Sequence, residues 1–267
     1  MVHPPGTTQS EAWLEDVPIP DVSKLVTEDD TPVDNIFSER QMSLLVASLH
    51  GGWTPMRDGA PRPFLALANV GIFANTKEPP VVPDVLLSLD VEPPADPTAK
   101  ETRSYFVWEF SKFPDVVIEI VSNREGGELA QKRRRYAKYR IPNYVVYDPF
   151  HSLSETTLQA FRLAGDLYIP NRTLEFEGTG LGVTLWTGEW QRMQGTWLRW
   201  VDSQGNLLPT SEERAEAERE RAEAERERAE AERERAEAER ERAEAERQRA
   251  SRLAEKLRAL GIDPDAP

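Results

Sequence analysis

Two acidic residues belong to short apolar segments that are typical of covered β-strands: one directly precedes its segment and the other lies in the middle of its own. Asp84 follows a proline at the start of VLLSLDV, and Glu119 lies in the middle of VVIEIVS. Side chains alternate between the two faces of a strand, so Glu119 shares its face with Val117 and Val121. Because burying an unpaired carboxylate is costly, Glu119 needs a partner. A hard divalent cation held between Asp84 and Glu119 would satisfy both carboxylates.

A helix that follows the Glu119 strand offers cationic partners. Its segment QKRRRYAKYR places Lys132, Tyr136 and Tyr139 in one stripe by helical spacing. An ammonium beside two metal-binding carboxylates can stabilise the charge that develops at an attacked phosphodiester, or can position a water. These residue types together predict phosphodiester hydrolysis. The arginines spread around the helix, cannot all face the sheet, and are candidate phosphate contacts: Arg133, Arg134 and Arg135.

Each of these residues also has a structural interpretation, and these alternatives stay open at this point. Asp84 could cap a turn after its proline. Glu119 could form a structural ion pair with Lys132 or with an arginine. A solvated helix face would explain the three arginines as well as phosphate contacts would, and the two tyrosines could serve in packing.

The elements that must position these residues follow from the apolar patterns. Short β-type runs fill residues 63 to 205, and one clear helix, at about 127–140, interrupts them. Since this helix lies between DVVIEIVS and YVVYDP, it predicts a βαβ crossover with a parallel strand pair and a right-handed connection. The remaining runs, YFVWEF among them, predict peripheral antiparallel strands, with DSQGN as the last hairpin turn. The fold class is therefore mixed α/β.

The segments before this region contain one more helix and a loop. Apolar residues at three- and four-residue spacing predict a helix over about 38–49, with Ser38 as its cap. The glycines and prolines of GGWTPMRDGAPRP predict a loop after it. Composition divides the whole chain into a weakly ordered arm (1–33), the α/β domain (34–210), a charged helix (211–260) and a disordered tail (261–267).

The charged helix consists of a repeat. The seven-residue unit RAEAERE runs from Arg214 to Gln248, and all its residues are strong helix formers. Its alanines lack the three- and four-residue spacing of a coiled-coil seam, which appears only in the last turns, at Ala250, Leu253, Leu257 and Leu260. We therefore favour a single helix about 70 Å long, at 1.5 Å per residue, as a spacer. A coiled coil that forms a homodimer or binds a protein partner is the alternative.

Composition excludes several classes of protein. The chain has no cysteine, which excludes disulfides, thiol nucleophiles and zinc–thiolate sites. Its net charge of −14 argues against a surface that attracts nucleic acid everywhere, although a local basic groove remains compatible with it. No apolar stretch approaches the roughly 18 residues of a membrane span. The N-terminus has no signal-peptide pattern, so a cytoplasmic location is expected.

The motifs, taken in order, resemble a known family. VPDVLLSLD, PDVVIEIVS and QKRRRYAKYRIPNYVVYDP are similar to the motifs of the Putative restriction endonuclease family of the PD-(D/E)XK nuclease superfamily, over roughly residues 36 to 186. The resemblance implies a restriction-endonuclease-like central mixed sheet flanked by helices. It also implies an endonuclease, of restriction or mobile-element type, that uses Mg²⁺ to cut DNA, with Mn²⁺ as a substitute.

Carried over position by position, the resemblance implies roles for single residues. Asp84 and Glu119 match the metal ligands, Lys132 matches the catalytic lysine, and Glu39 matches a further acidic ligand on the N-terminal helix. One departure is that the superfamily lysine stands two residues after the glutamate, where this chain has Val121. The run SNR after that strand also departs from the commoner Ser-Pro-Ser.

A second hypothesis assigns the chain no catalysis. In this interpretation the domain is an inactive nuclease fold, and the protein is an interaction or scaffold protein assembled through its C-terminal helix. The acidic composition of the domain and the lack of a target-recognition signature favour it.

Overall fold

The computed structural model describes residues 35–96, 103–122 and 126–259. The predicted arm (1–33) and tail (261–267) lie outside these residues. The elements in chain order are α1 (Ile36–Gly52), β1 (Met56–Arg57), β2 (Ala60–Pro61), β3 (Phe64–Ala68), β4 (Ile72–Phe73), β5 (Val85–Leu89), β6 (Tyr105–Phe106), α2 (Val107–Phe110), β7 (Val116–Ile120), α3 (Gly126–Lys138), β8 (Asn143–Tyr147), β9 (Leu158–Ala164), β10 (Leu167–Pro170), β11 (Glu175–Phe176), β12 (Leu181–Trp190), β13 (Met193–Asp202) and α4 (Ser211–Ala259).

A six-stranded mixed sheet with the order β10-β9-β8-β7-β5-β3 forms the centre of the domain. Its strands β7 and β8 are parallel and are joined through α3, whereas the other neighbours in this sheet are antiparallel. All five residues of β5, β7 and β8 are buried, as expected for strands that are covered on both faces. The mixed α/β class and the parallel βαβ pair are therefore confirmed.

One face of this sheet is covered by α1 and by a second sheet of three strands, β11-β12-β13. Val116, Ile118 and Ile120 of β7 pack in one apolar cluster with Leu45 of α1 and Trp200 of β13. Residues at alternate positions of a strand point the same way, so this face of β7 is wholly apolar.

The opposite face of the sheet is covered by α3. Here Val117 and Val121 pack with Tyr136 and Tyr139 of the helix. Glu119 lies between these two valines on β7, so its side chain faces α3. The predicted alternation of β7 is thus confirmed, and it places the one carboxylate of the strand beneath the helix.

The N-terminal helix begins earlier than predicted. Asn35 is its cap, because the Asn35 side chain accepts a hydrogen bond of 2.8 Å from the Ser38 backbone N–H. The prediction of Ser38 as the cap is wrong; that residue is buried in the first turn. The additional turn lets Phe37 stack on Trp197, with ring centroids 4.9 Å apart. Tertiary packing therefore selects between two residues that are both good caps.

Two other local predictions are wrong. Only the first two residues of the predicted strand YFVWEF are extended, and Val107–Phe110 forms the short helix α2. The predicted loop GGWTPMRDGAPRP contains the hairpin β1–β2, which turns at Asp58 and Gly59, both with positive φ. Asp-Gly is a favoured pair for such a two-residue turn.

The long hairpin β12–β13 turns at a place that lacks the usual signals. Gln191 and Arg192 form its two-residue loop, with φ of 45° and 66°, although neither is a glycine. The predicted turn DSQGN follows β13, where Gly205 N–H donates to the Asp202 carbonyl at 3.0 Å. It leads to an isolated bridge between Val201 and Leu207, not to a full strand.

Helix α4 is anchored to the domain at its start. Thr210 and Glu213 form a reciprocal capping box, in which each side chain accepts from the backbone N–H of the other. The Arg199 guanidinium, which is 1% exposed, donates to both Glu213 oxygens at 2.8 and 2.9 Å. The 49 residues of α4 form one helix, as predicted. Residues 218–253 of α4 are exposed throughout. None of the helices described here is long and apolar enough to cross a membrane.

Candidate active site

Strand register brings Asp84 and Glu119 together. β5 and β7 are antiparallel with Val85 opposite Ile118, and one further step of the same register sets Asp84 opposite Glu119. Residues directly opposite in such a pair share a face and have Cβ atoms about 4.5–5.5 Å apart. Ile120 N–H donates to Asp84 Oδ2 at 2.5 Å, so the side chain of Asp84 takes the place of a ladder carbonyl. The Pro83-Asp84 pair thus stands directly before β5, and this hydrogen bond fixes the Asp84 carboxylate.

Helix α3 supplies two partners for Glu119, which is 4% exposed. Lys132 Nζ donates to Oε2 at 2.9 Å, and the Tyr136 hydroxyl donates to Oε1 at 2.5 Å. Residues four apart lie on the same side of a helix, which is why both reach the same carboxylate. The partner that the sequence requires for Glu119 is therefore present in the protein itself.

Burial raises the pKa of two tyrosines on this face, Tyr136 and Tyr144. Removal from water, and then the nearby charge of Glu119, raise the pKa of Tyr136 well above its ordinary value. The same two causes, in the same order, raise the pKa of Tyr144. Tyr136 therefore stays protonated at neutral pH and acts as a donor to Glu119.

Glu39 does not join this group. It lies in the first turn of α1, its side chain is 56% exposed, and it pairs with Arg40 at 3.5 Å. The buried residues of α1 pack on the face of the sheet opposite to Glu119. Within the part of the chain that the structure describes, no three acidic, histidine or cysteine residues form a group that could hold a metal.

The three arginines of α3 have three different environments. Arg133 lies with its guanidinium carbon 4.3 Å from the centre of the Phe161 ring. Arg134 is exposed and donates to a carbonyl of its own helix. Arg135 donates to the carbonyl of Pro80 at 3.1 Å and so holds the loop that leads into Pro83-Asp84. Arg135 thus holds this loop, whereas Arg133 and Arg134 line a cleft between α3 and strands β8 and β9.

The sequence does not predict two contacts that the structure shows. It favours a packing role for Tyr136, whose hydroxyl also donates to Glu119. It gives no role to Asp148, which is buried and accepts hydrogen bonds from the backbone N–H groups of Ser152, Leu153 and Ser154 at 2.8–3.0 Å. The Asp-Pro pair after the apolar run YVVY was the available signal, since Asp-Pro favours turn initiation. Asp148 thereby orders the loop between β8 and β9.

Comparison with known proteins agrees with this architecture. A model of the Uma2 family, described as "Putative restriction endonuclease", matches residues 15–191. The matched segment exceeds half of the chain and includes Asp84, Glu119 and Lys132, while α4 lies beyond it. No curated protein matches the chain. No solved structure matches it either.

Proposed function

The chain belongs to the Uma2 family of restriction-endonuclease-like proteins, and on this basis we propose that it is a Mg²⁺-dependent endonuclease that hydrolyses DNA phosphodiester bonds. Family membership supports a nuclease-type function. The observation that carries the more specific proposal is the pairing of Asp84 with Glu119 across two strands, with Lys132 bonded to the second carboxylate.

The two carboxylates fit a hard divalent cation. Mg²⁺ prefers oxygen ligands, keeps several waters and is bound by one or two carboxylates more often than by an all-protein cage. A pair of acids on neighbouring strands therefore suffices, and a third acidic ligand such as Glu39 is not required. A carboxylate has about four lone-pair sites, so the bonds from Lys132 and Tyr136 to Glu119 are compatible with metal binding. Mn²⁺, which favours the same ligands, would substitute.

Each residue of the site has a definite task in this proposal. When bound, the cation would supply a Lewis acid that offsets the charge of the attacked phosphodiester. Asp84 and Glu119 hold it, and Lys132 brings a second positive charge that can donate hydrogen bonds to the phosphate or orient a water. Tyr136 acts on the substrate only through Glu119, whose Oε1 it fixes, and is a positioning residue.

Contact with DNA would use the basic side of α3. The chain as a whole is acidic, with a net charge of −14, so a duplex is repelled from most of its surface. Arg134 is exposed, and both it and Arg133 line the cleft between α3 and strands β8 and β9, which makes these two the candidate phosphate contacts. Affinity that depends on such contacts should fall steeply with salt concentration.

The test is cleavage of plasmid DNA with Mg²⁺, with Mn²⁺ and with EDTA. We expect Glu119→Gln and Asp84→Asn to abolish cleavage while circular dichroism shows an unchanged fold. Glu78→Gln is the matched control, because Glu78 pairs with Lys138 on the exposed surface and should be dispensable. Binding of Mn²⁺ without DNA, followed by its electron paramagnetic resonance signal, gives a second readout. If both site variants cut DNA as well as the parent, the assignment is wrong.

The second candidate function is assembly through α4, and the exposure of this helix favours that function. Beyond its anchored start this helix is exposed along residues 218–253, and Leu253 of the terminal seam is 60% exposed. Sedimentation should compare the full chain with a truncation after Glu225, which keeps the anchor at Glu213, and with Leu253→Glu. If the full chain is a dimer and both variants are monomers, assembly is supported. If all three proteins are monomers, α4 is a spacer.

A further inference from the structure

A cleft of about 480 Å³ lies beside the proposed active site, between α3 and strands β8 and β9. Register places it on the same face as the carboxylates, because Glu119 pairs with Val146 and Val146 pairs with Gln159. Both of these partners line the cleft. Since neighbouring strands are about 4.8 Å apart, the cleft begins one strand away from Glu119. Its volume lies within the roughly 300–1,000 Å³ typical of small-ligand sites.

The cleft is lined by flat aromatic rings and aliphatic side chains, with arginines at its edge. The Arg133 guanidinium lies over the Phe161 ring, and the Tyr144 ring stacks against the same ring with centroids 5.7 Å apart and an interplanar angle of 23°. Three aliphatic side chains complete the wall: Leu129, Val146 and Leu153. Aromatic rings and arginine planes in a positively charged groove are the groups on which proteins stack unpaired bases.

The Tyr144 hydroxyl provides an independent indication of a ligand. The residue is 1% exposed, and its hydroxyl oxygen is buried without a hydrogen-bond partner among the residues that the structure describes. Buried hydroxyls in proteins are nearly always bonded, because an unsatisfied one loses its bonds to water. Tyr144 lines the cleft, and the edges of nucleobases carry both donors and acceptors, so a base that enters deeply enough to reach this hydroxyl would satisfy it.

We propose that this cleft binds one unstacked nucleobase of the DNA strand that is cut. The proposal rests on the proposed nuclease function, because the base that it assigns to the cleft is the one next to the phosphodiester held at Asp84 and Glu119. In a duplex the faces of the bases are covered by their neighbours, so a base reaches Phe161 only after it leaves the stack. Leaving the stack is least costly for a mismatched or single-stranded base. The enzyme therefore prefers DNA that is locally unpaired.

The experiment compares binding of the full chain to three labelled duplexes in EDTA, where Mg²⁺-dependent cleavage cannot occur. One duplex is perfectly paired, one has a single mismatched pair, and one has abasic sites at both positions of that pair. We expect the mismatch to bind about tenfold more tightly than the perfect duplex, and the abasic duplex to lose this gain, because stacking of one base is worth about this much. Equal binding of the mismatched and abasic duplexes would overturn the proposal, because it would indicate recognition of flexibility alone.

Variants assign the effect to the cleft. Phe161→Leu should abolish the preference for the mismatch, and the isosteric Tyr144→Phe, which keeps the packing, should reduce it several-fold. Tyr147→Phe is the matched control, since its hydroxyl donates to the Thr196 carbonyl away from the cleft and its loss should leave the preference intact. A preference retained in both Phe161→Leu and Tyr144→Phe refutes the base site. A mismatch preference without any Mg²⁺-dependent cleavage refutes the nuclease proposal and leaves the base site standing.

Discussion

Replacing Lys132 by methionine tests how much Glu119 depends on its ammonium partner. The Glu119 side chain is 5% exposed and that of Lys132 is 19% exposed, and their charged atoms are 2.9 Å apart. Removing one partner of a buried pair costs about 3–5 kcal/mol, because it leaves an uncompensated buried charge. We expect the lower end, about 3 kcal/mol, since the Tyr136 hydroxyl still donates to the carboxylate. Glu119→Gln should cost only about 1 kcal/mol, because the remaining ammonium can reach water.

The loss is measured by urea unfolding at pH 7 in EDTA. Tryptophan fluorescence reports the α/β domain, because α4 contains no tryptophan. Lys138→Met is the matched control. It breaks an ion pair of 2.8 Å to Glu78 whose side chains are 63% and 41% exposed, and solvent screening leaves such surface pairs with little effect on stability. If Lys132→Met loses no more stability than Lys138→Met, the buried pair does not have the role assigned to it.

Two further predictions concern carboxylates outside the site. Asp148→Ala should destabilise the domain by about 2–3 kcal/mol, because three backbone N–H groups lose their acceptor. Hydrogen exchange should accelerate in residues 152–154, and unchanged exchange there would contradict this role. The hydrogen bond from Arg62 holds the pKa of Asp90 at about 2 in the folded protein. The stability that this pair contributes is therefore present above the pKa of the unfolded chain, near 4, and is lost as pH falls toward 2. Arg62→Met should therefore cost more stability at pH 6 than near pH 2, where its hydrogen bond to the Gly178 carbonyl is still made; an equal cost at both would refute this linkage.

The parts of the fold that depend on local pattern could be predicted from the sequence. The alternation along β7 was sufficient to place Glu119 on a covered face, and an apolar strand, a helix and a second apolar strand were sufficient for the parallel pair. The placement of Asp84 opposite Glu119 needed more. It depends on the register between β5 and β7, which the sequence indicated only indirectly, through the partner that a buried Glu119 requires and through the resemblance of the Pro-Asp motif.

The errors arise where tertiary contacts decide between locally equivalent choices. Asn35 and Ser38 are both good caps, and the stacking of Phe37 on Trp197 selects the first. The face that α1 covers could not be read from the sequence either; the apolar residues of this helix pack on the face opposite to Glu119, so Glu39 lies apart from Asp84 and Glu119, and its role as a ligand stays a prediction. The sequence also gives no signal for the turn at Gln191, which has a positive φ although it is not a glycine. The ten residue pairs between β12 and β13 impose this backbone conformation.

The valine that stands at the position of the superfamily lysine has a structural explanation. Val121 stands where the superfamily lysine would be, on the same face of β7 as Glu119, and it is buried against Tyr136 and Tyr139 of α3. A lysine at that position would need to keep its ammonium hydrated, which is incompatible with close packing of the helix over the strand. With valine there, α3 packs closely enough for Lys132 to reach Glu119 Oε2 at 2.9 Å. The position of the lysine in the sequence and the tight contact of helix and strand are therefore two aspects of one arrangement.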